Sequence, residues 1–560
     1  MEFARGDLEP AEQELAAALE AGTVYGRDTE DRANWPVIRA KIIRNLLRGV
    51  YKDLVPDPMG LRLRHVRIAG RIDLDHLETR ILLSLDQCDL PEGLTAVHAQ
   101  LPILRLRGMT IDRHSELSAV LRLRGLHAAE LDLTGTVLTN NQGPALHADG
   151  IAIDFDCSLG NGFAATGHGH LGTVRLLGAT IGGQLNFRGA KLNNLENRDS
   201  ETGPALSADG ITVGSDAYLD EKFSATGHGR QGAIRLVGAT IGGQLHMSRA
   251  CLINKTGPAL RAEGIIVHSD ARFCDEFTAM GHGDLGAVRL AGATIGGQLV
   301  LSSAHFPEMG PESGVPAVVL TGADVRSDLS IDEATLERES HTGSWLIDGL
   351  TYRGLNAESN QWLKFLREGT WKYSPQPYQQ FAAVARARGD EKLTRKILIA
   401  QHSDLLARNR SRGASLTWGQ RAGQRVLWAT VGYGYKTWLA VLWLALVVAV
   451  AVIAAFAFGS PAWHWPWSWS WLPGWSAAAL EQPEGSKAGA PCQDVDLLVL
   501  GLETIPLIPL VSGANDSCAV TNSAAGITFL GVSVALKIAA WALVTLFVAG
   551  YSNIVRKPGP

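Results

Sequence analysis

The sequence predicts an all-β parallel β-helix with a helical cap, a helical juxtamembrane segment and a C-terminal α-helical membrane hairpin. Three observations predict it. The stretch 143–192, GPALHADGIAIDF through GATIGGQLNFRGAKL, returns from Gly203 and again from Gly257. Inside each copy the apolar residues fall in short runs broken by glycine: Val174 and Leu176, then Ile181, Leu185 and Phe187. Much later, Thr437–Phe458 runs for 22 residues without a charge.

The repeats start 60 and 54 residues apart, and self-similarity at such a period is the mark of a solenoid. Helices need about ten residues to bury a face, and these runs are too short and too glycine-broken. They suit short parallel strands joined by tight corners, each turning an apolar side chain inward. At about 20 residues per coil, each repeat would hold about three coils. Degenerate coils begin near Gly60 with LRLRHVRIAGRIDL, and GADVRSDLSI near Gly322 reads as the last. A solenoid over 56–345 would then contain about 14 coils and run for about 70 Å.

The elements follow in order. Residues 1–55 form a cap, with helices expected over 10–21 and 34–50. In the second, Ile38, Ile42, Leu46 and Val50 recur every four residues, which puts them on one face to cover the open first coil. Residues 346–436 are a helical juxtamembrane region, helical over 358–372 and 377–410. Between Leu405 and Lys436 lie Arg408, Arg410, Arg412, Arg421, Arg425 and Lys436, with no acid. Residues 437–458 and 526–551 have the length and apolarity of membrane-crossing helices, the second interrupted only by Lys537 and followed by Arg556 and Lys557. The loop 459–525 between them has Lys487 as its one Lys or Arg. Basic flanks and a nearly Lys/Arg-free centre place the solenoid and the tail 552–560 in the cytoplasm and the loop outside. Trp463, Trp465, Trp467, Trp469, Trp471 and Trp475 then fall at the outer headgroup level.

Within that loop, 495–511 is apolar but carries Glu503, Pro506 and Pro509. A full crossing would put the basic tail outside, so a re-entrant dip is expected. Cys492 and Cys518 flank it on the oxidising side and are a candidate disulfide. Lys537 lies near the middle of its helix, where a cation is costly, and Glu503 is its candidate intramembrane partner.

Composition narrows the function classes. Net charge is −5 and the pI about 6.4, which offers no electrostatic case for nucleic acid. The 61 glycines suit a corner-rich coil. The N-terminus lacks a basic stretch leading into an apolar run, so no cleavable signal peptide is expected. Cys88, Cys157, Cys251 and Cys274 have no metal-ligand spacing and read as buried thiols.

Several motifs are read as structure rather than chemistry. GxGxxG occurs at 167–172, 227–232 and 281–286, but strand-like VRL or IRL follows each, where a dinucleotide site needs a helix. His168, His228 and His282 recur there and are expected at turns or on the surface, too far apart to share a metal. Asp149, Asp209 and Glu263 mark another repeated corner. TVGYG at 430–434 matches a potassium-filter string but precedes the first span instead of lying between two. No catalytic, cofactor-binding or metal-ligating residue is assigned, and the reading leans away from an enzyme.

IRAKIIRNLLRG at 38–49, GRIDL at 70–74, the GATIGGQL repeats, GYGYKTW at 432–438 and LETIPLIPL at 502–510 resemble a family of bacterial proteins. Its members join a β-helical, pentapeptide-like region to a C-terminal two-span membrane unit and are often labelled membrane-associated oxidoreductases. The resemblance implies a redox cofactor. The span, dip and span also resemble pentapeptide-repeat proteins fused to two-helix ion-channel modules, without a filter in the dip. Three functions follow. The first is a non-catalytic scaffold or sensor in the lipid bilayer, with protein partners along the rod faces. The second is a channel-like homo-oligomer, and the third the oxidoreductase of the family label.

Overall fold

The computed structural model describes residues 8–29, 31–112, 119–195, 203–282, 286–306, 315–339, 343–408, 438–459, 480–481, 519–520 and 524–551, with isolated positions 419, 430, 498, 502 and 522. The chain divides into two units, Met1–Ile397 and Leu398–Pro560.

The first unit is a parallel β-solenoid. One coil lays down Leu146–His147, Ala152–Ile153, Cys157–Ser158 and Ala164–His168 before the next begins at Val174. These strands stack into three continuous parallel sheets of 11, 19 and 7 strands. The eleven-stranded sheet takes one strand per coil and so counts about eleven coils, or about 50 Å.

That corrects the expectation of 14 coils of about 20 residues. Successive inward residues in this sheet are Leu121, Leu146, Val174, Leu206, Ile234, Leu260, Val288 and Val318, 25 to 32 residues apart. Each sequence repeat is therefore two coils, not three. The interior shows why the repeat spans two. One inward ladder reads Leu131, Cys157, Leu185, Ala217, Leu245, Ala271 and Leu299, large and small in turn. Another reads Leu138, Ala165, Leu192, Ala225, Leu252 and Ala279. Buried Phe163, Phe223 and Phe277 fall in the coils whose other ladder positions are small. Alternation fills the interior at near-crystalline density without enlarging any coil.

Glycine is required at one corner by close approach. A Cβ on Gly242 would stand 2.2 Å from the Gly214 carbonyl of the coil before, and one on Gly243 would stand 2.1 Å from Asp216 Oδ1. That Asp216 oxygen accepts the Gln244 N–H at 2.7 Å. Asp156 and Asp270 do the same for Gln184 and Gln298, each at 2.8 Å. GATIGGQL thus pairs two side-chain-free positions with an aspartate cap supplied from below.

The ends are closed by helices. Helix α1, Pro10–Ala21, matches its expected span and buries Leu15, Ala16 and Leu19. Its Glu12 is fully buried and accepts Arg39 Nε at 2.6 Å. The second helix is shorter than expected. Trp35 precedes Pro36, which holds it extended (ψ 136°), and Val37–Arg39 is a strand paired with Arg67–Ala69. Helix α2 then covers Ala40–Leu47, and Gly49 at φ 63° follows its end. Tyr25–Gly26 also joins the solenoid, pairing with Leu63 and Arg64, so the ladder starts ahead of residue 56.

At the other end a further coil, Trp345–Leu346 and Thr351–Asn356, extends the solenoid beyond 345. Helix α3 is Glu333–Glu339, α4 Ser359–Glu368, α5 Pro375–Ala387 and α6 Glu391–Arg408. Helix α4 buries Trp362, Leu363, Phe365 and Leu366. A chain of edge-on rings runs from Phe277 through Phe306 and Trp345 to Phe365, at centroid spacings of 6.3, 5.2 and 5.3 Å. The segment expected to be juxtamembrane therefore begins as the solenoid's second cap.

In the second unit, helix α7 is Trp438–Gly459 and α8 Ala524–Tyr551. Both contain stretches long and apolar enough to cross a membrane, Trp438–Phe458 and Gly526–Val548.

Candidate functional site

The strictest external regularity lies on the seven-stranded sheet. Its strands carry two outward columns. The first reads Thr110, Val137, Ala164, Lys191, Ser224, Cys251 and Thr278, and the second Asp112, Thr139, Thr166, Asn193, Thr226, Ile253 and Met280. Of these fourteen side chains only Asp112 and Lys191 are charged. The strands are in register and about 4.8 Å apart, so the surface is a flat lattice of hydroxyls, small groups and a few aliphatics.

The nineteen-stranded sheet differs. There Arg105 reaches Glu130 at 2.9 Å, Arg64 reaches Asp86 at 3.6 Å, and Arg107 pairs with Asp132. Its early outward positions are ion-paired; an exposed pair such as Arg64–Asp86 is worth about 0–1 kcal/mol, whereas Asp132 is buried.

Buried amides hold the turns beside the uncharged face. Asn194 Nδ2 donates to Gly169 O (3.1 Å) and Pro204 O (3.0 Å), and Asn254 Nδ2 to Gly229 O (2.9 Å) and Pro258 O (2.8 Å). Both asparagines are fully buried. Each fastens the GHG turn of one coil to the GPAL entry of the next.

The sequence-singled residues fall as follows. His168 and His228 are buried rather than on the surface, and His168 Nδ1 bonds to Leu195 O at 2.9 Å; His282 is exposed. Strand Val174–Arg175 follows the first GxGxxG and Ile234–Arg235 the second, so neither offers a helix N-terminus to a pyrophosphate. The corner carboxylates work across coils: Asp149 pairs with Arg175 and Asp209 with Arg235, while Glu263 accepts Arg289 Nε at 2.6 Å. Burial raises the Asp149 carboxyl, but hydrogen bonds and charge from His147 and Arg175 outweigh it and hold the group below its usual range.

Cys88, Cys157 and Cys274 are buried, and burial pushes the first two thiols up to about 12. Cys251 departs from the expected burial: it is half-exposed, in an outward column. Among the described residues, no group of three His, Cys, Asp or Glu side chains could hold a metal ion.

In the second unit, α7 and α8 pack antiparallel, Phe458 of one against Phe529 of the other at 5.8 Å. Ala440, Ala451 and Ala455 on α7 and Ala540 on α8 are buried, small residues of the kind that let helices approach in lipid. Leu480–Glu481 pairs antiparallel with Ala519–Val520 and brings together the two ends of the 482–518 stretch. Lys537 is exposed on α8 and has no partner among the described residues. Glu503, Cys492, Cys518, the six loop tryptophans, the dip apart from isolated positions, and TVGYG apart from Thr430 lie outside the described residues.

No protein-family model matches the chain, and neither a curated protein nor a solved structure is significantly similar to it. The class defined by fold and surface is a capped parallel β-solenoid joined to a pair of apolar helices.

Proposed function

We propose that this protein is a membrane-anchored scaffold whose solenoid docks a protein partner on its flat, seven-stranded face. The observation that carries the reading is the fourteen-residue outward lattice with two charges, beside a neighbouring sheet whose early coils are ion-paired. A surface with few charges is cheaply desolvated by a flat protein of similar polarity, and solenoids bind along such extended faces. The apolar helices supply the anchor, and the basic 408–436 stretch favours a cytoplasmic solenoid.

The test is a photo-crosslinking residue placed at Thr226, with a second at Arg64 on the charged sheet. A discrete adduct from Thr226 that Thr166→Glu abolishes supports the docking face. Equal labelling at both positions, or none at Thr226, overturns it.

A second reading is favoured by one observation, the exposed Lys537 near the centre of α8. A cation at that depth costs about 2.5–3.5 kcal/mol unless it meets an acid or water. Glu503 of the same or another copy supplies the acid, and several hairpins together could line a pore. Native mass in mild detergent and bilayer conductance test this reading. If Lys537→Met inserted as well as the parent while Glu503→Gln did not, the pairing would be abandoned. The redox function of the resembled family requires a flavin or nicotinamide, which the visible and near-ultraviolet absorbance of the purified protein would reveal.

A further inference from the structure

A groove of about 700 Å³ opens near the amino-terminal end of the solenoid, away from the flat face. Its origin is a mismatch of strand lengths. Gln100–Arg107 is eight residues long, yet Leu83–Asp86 in the preceding coil covers only Leu104–Arg107. Gln100 meets Glu78 at an isolated bridge, and the chain from Thr79 to Leu82 leaves the sheet between these two contacts. Leu47–Gly49, just where α2 ends, forms part of the wall. Pro102 sits on the uncovered stretch and has no N–H, so the edge is blunted against an added strand.

What remains available is side-chain chemistry. Arg48, Glu78, Arg80 and Gln100 line the groove, and among the described residues none of their side chains has a hydrogen-bond or ion-pair partner. Elsewhere on the solenoid Arg105, Arg107 and Arg175 are each held by a carboxylate. His127 Nε2 and Asp154 Oδ1, 3.1 Å apart, form a fifth polar element. Leu101 and Ala128, both buried, lie beneath its floor. The residue after Asp154 is Phe155, 67% exposed. Its place is taken in the next coils by Gly183 and Ser215, as the coil-to-coil bonds from Gly183 N to Phe155 O and from Ser215 N to Gly183 O show.

We propose that this groove binds a small hydroxylated anion, a carboxylate or phosphate carried on a polyol. Two unpaired guanidinium groups match the planar or tetrahedral oxygens of such an anion. Glu78 and Gln100 accept from and donate to hydroxyl groups. A long polyanion would need many more cations than two. The volume lies within the range of small-ligand sites. The inference is independent of the docking face and of the membrane hairpin.

Calorimetric titration of the full-length protein in mild detergent tests it, with 6-phosphogluconate as the probe and inorganic phosphate and glucose as the two partial probes. Saturable binding of 6-phosphogluconate is expected, with Arg48→Gln and Arg80→Gln each weakening it at least about tenfold. Arg353→Gln, an exposed arginine far along the solenoid, should leave it unchanged. Should either groove variant fold poorly, Gln100→Ala provides the same readout for the hydroxyl contacts, and circular dichroism identifies the failure. No heat at about 10 mM 6-phosphogluconate overturns the proposal. Phosphate binding as tightly as 6-phosphogluconate overturns the hydroxyl contacts, and undiminished binding to the double arginine variant overturns the anion site.

Discussion

The solenoid and the helix pair use the same apolar residues in opposite directions. In the solenoid, Ile153, Leu185 and Leu245 point inward and are at most 2% exposed, while large apolar residues such as Phe155 and Ile266 are isolated exceptions on its surface. On α7 and α8, Ile527 and Ile538 are 64% and 65% exposed, and the buried seam includes alanines. Water drives the first arrangement by expelling apolar surface. Water would disfavour the second, because contiguous exposed apolar area of this extent calls for another solvent. If the helix pair crosses a membrane, as its length and apolarity allow, the two units answer to two media, and a polar substitution should have opposite consequences depending on which way its site faces.

The largest expected effect tests the helix pair. Asp at Leu442, Leu446 and Val450 together would place three charges on the exposed face of α7. At about 2.5–3.5 kcal/mol each near a helix centre, the sum of about 8 kcal/mol should abolish stable insertion. Carbonate extraction of membranes reads this directly. A triple variant that still pellets with the bilayer would show that α7 is not lipid-facing and would break the comparison.

Next is the solenoid interior. Phe223 is fully buried and stands edge-on to Phe187 at 6.1 Å. Phe223→Ala should destabilise the solenoid by about 3–5 kcal/mol, lowering the midpoint followed by β-sheet circular dichroism. Ile538→Ala, on the exposed side of α8, should leave that midpoint unmoved.

The size alternation can be probed by exchange, because Ala217 and Leu245 are direct ladder partners. Leu245→Ala should cost about 2–5 kcal/mol and Ala217→Leu about 1–3 kcal/mol. The exchanged pair restores the local volume and should recover about 0.5–3 kcal/mol of their sum. Strict additivity would mean that each coil packs by itself and that alternation is incidental.

That alternation also explains what could and could not be read from the residues. GATIGGQL, with glycines that only a close carbonyl and an aspartate demand, marks a solenoid in the sequence. The two apolar helices are equally visible, as uninterrupted apolarity needs no partner to be recognised. Coil length was not visible, because identity recurs only when Leu follows Ala follows Leu, which hides one coil boundary in every repeat. The strand at Val37–Arg39 is masked by an apolar period that also fits a helix, and Pro36 is the signal that decides it. In the sequence, helix α4 reads as part of a juxtamembrane region because a cap's charged outer face resembles a linker. His168 ends strand Ala164–His168 and His228 follows Ser224–Gly227, and flanking glycines that read as a turn or surface give no sign of their burial. The groove residues come from four stretches, near 48, 79, 101 and 127, with no shared motif, and only the strand-length mismatch brings them together.

The smallest expected effect separates the units by pH. Asp149 is held below its ordinary carboxyl value of 3.8, burial raising it while His147 and Arg175 lower it more strongly. Asp132 is likewise below its usual 3.8, burial again opposed by hydrogen bonds from Thr134 and Arg107. A carboxyl depressed on folding stabilises the fold fully above its unfolded value and loses that contribution as pH falls through its folded value. Burial likewise holds the His246 imidazole below its usual 6.5, so the solenoid midpoint should decline gently below about pH 6.5 and drop further below about pH 4, and Asp149→Asn should lower the plateau while making the acid drop shallower. Helices α7 and α8 contain no Asp or Glu, so their helical signal in detergent should hold across the same interval. Parallel acid loss in both units would mean that the helix pair depends on the solenoid carboxylates, and the contrast between the two units would no longer stand.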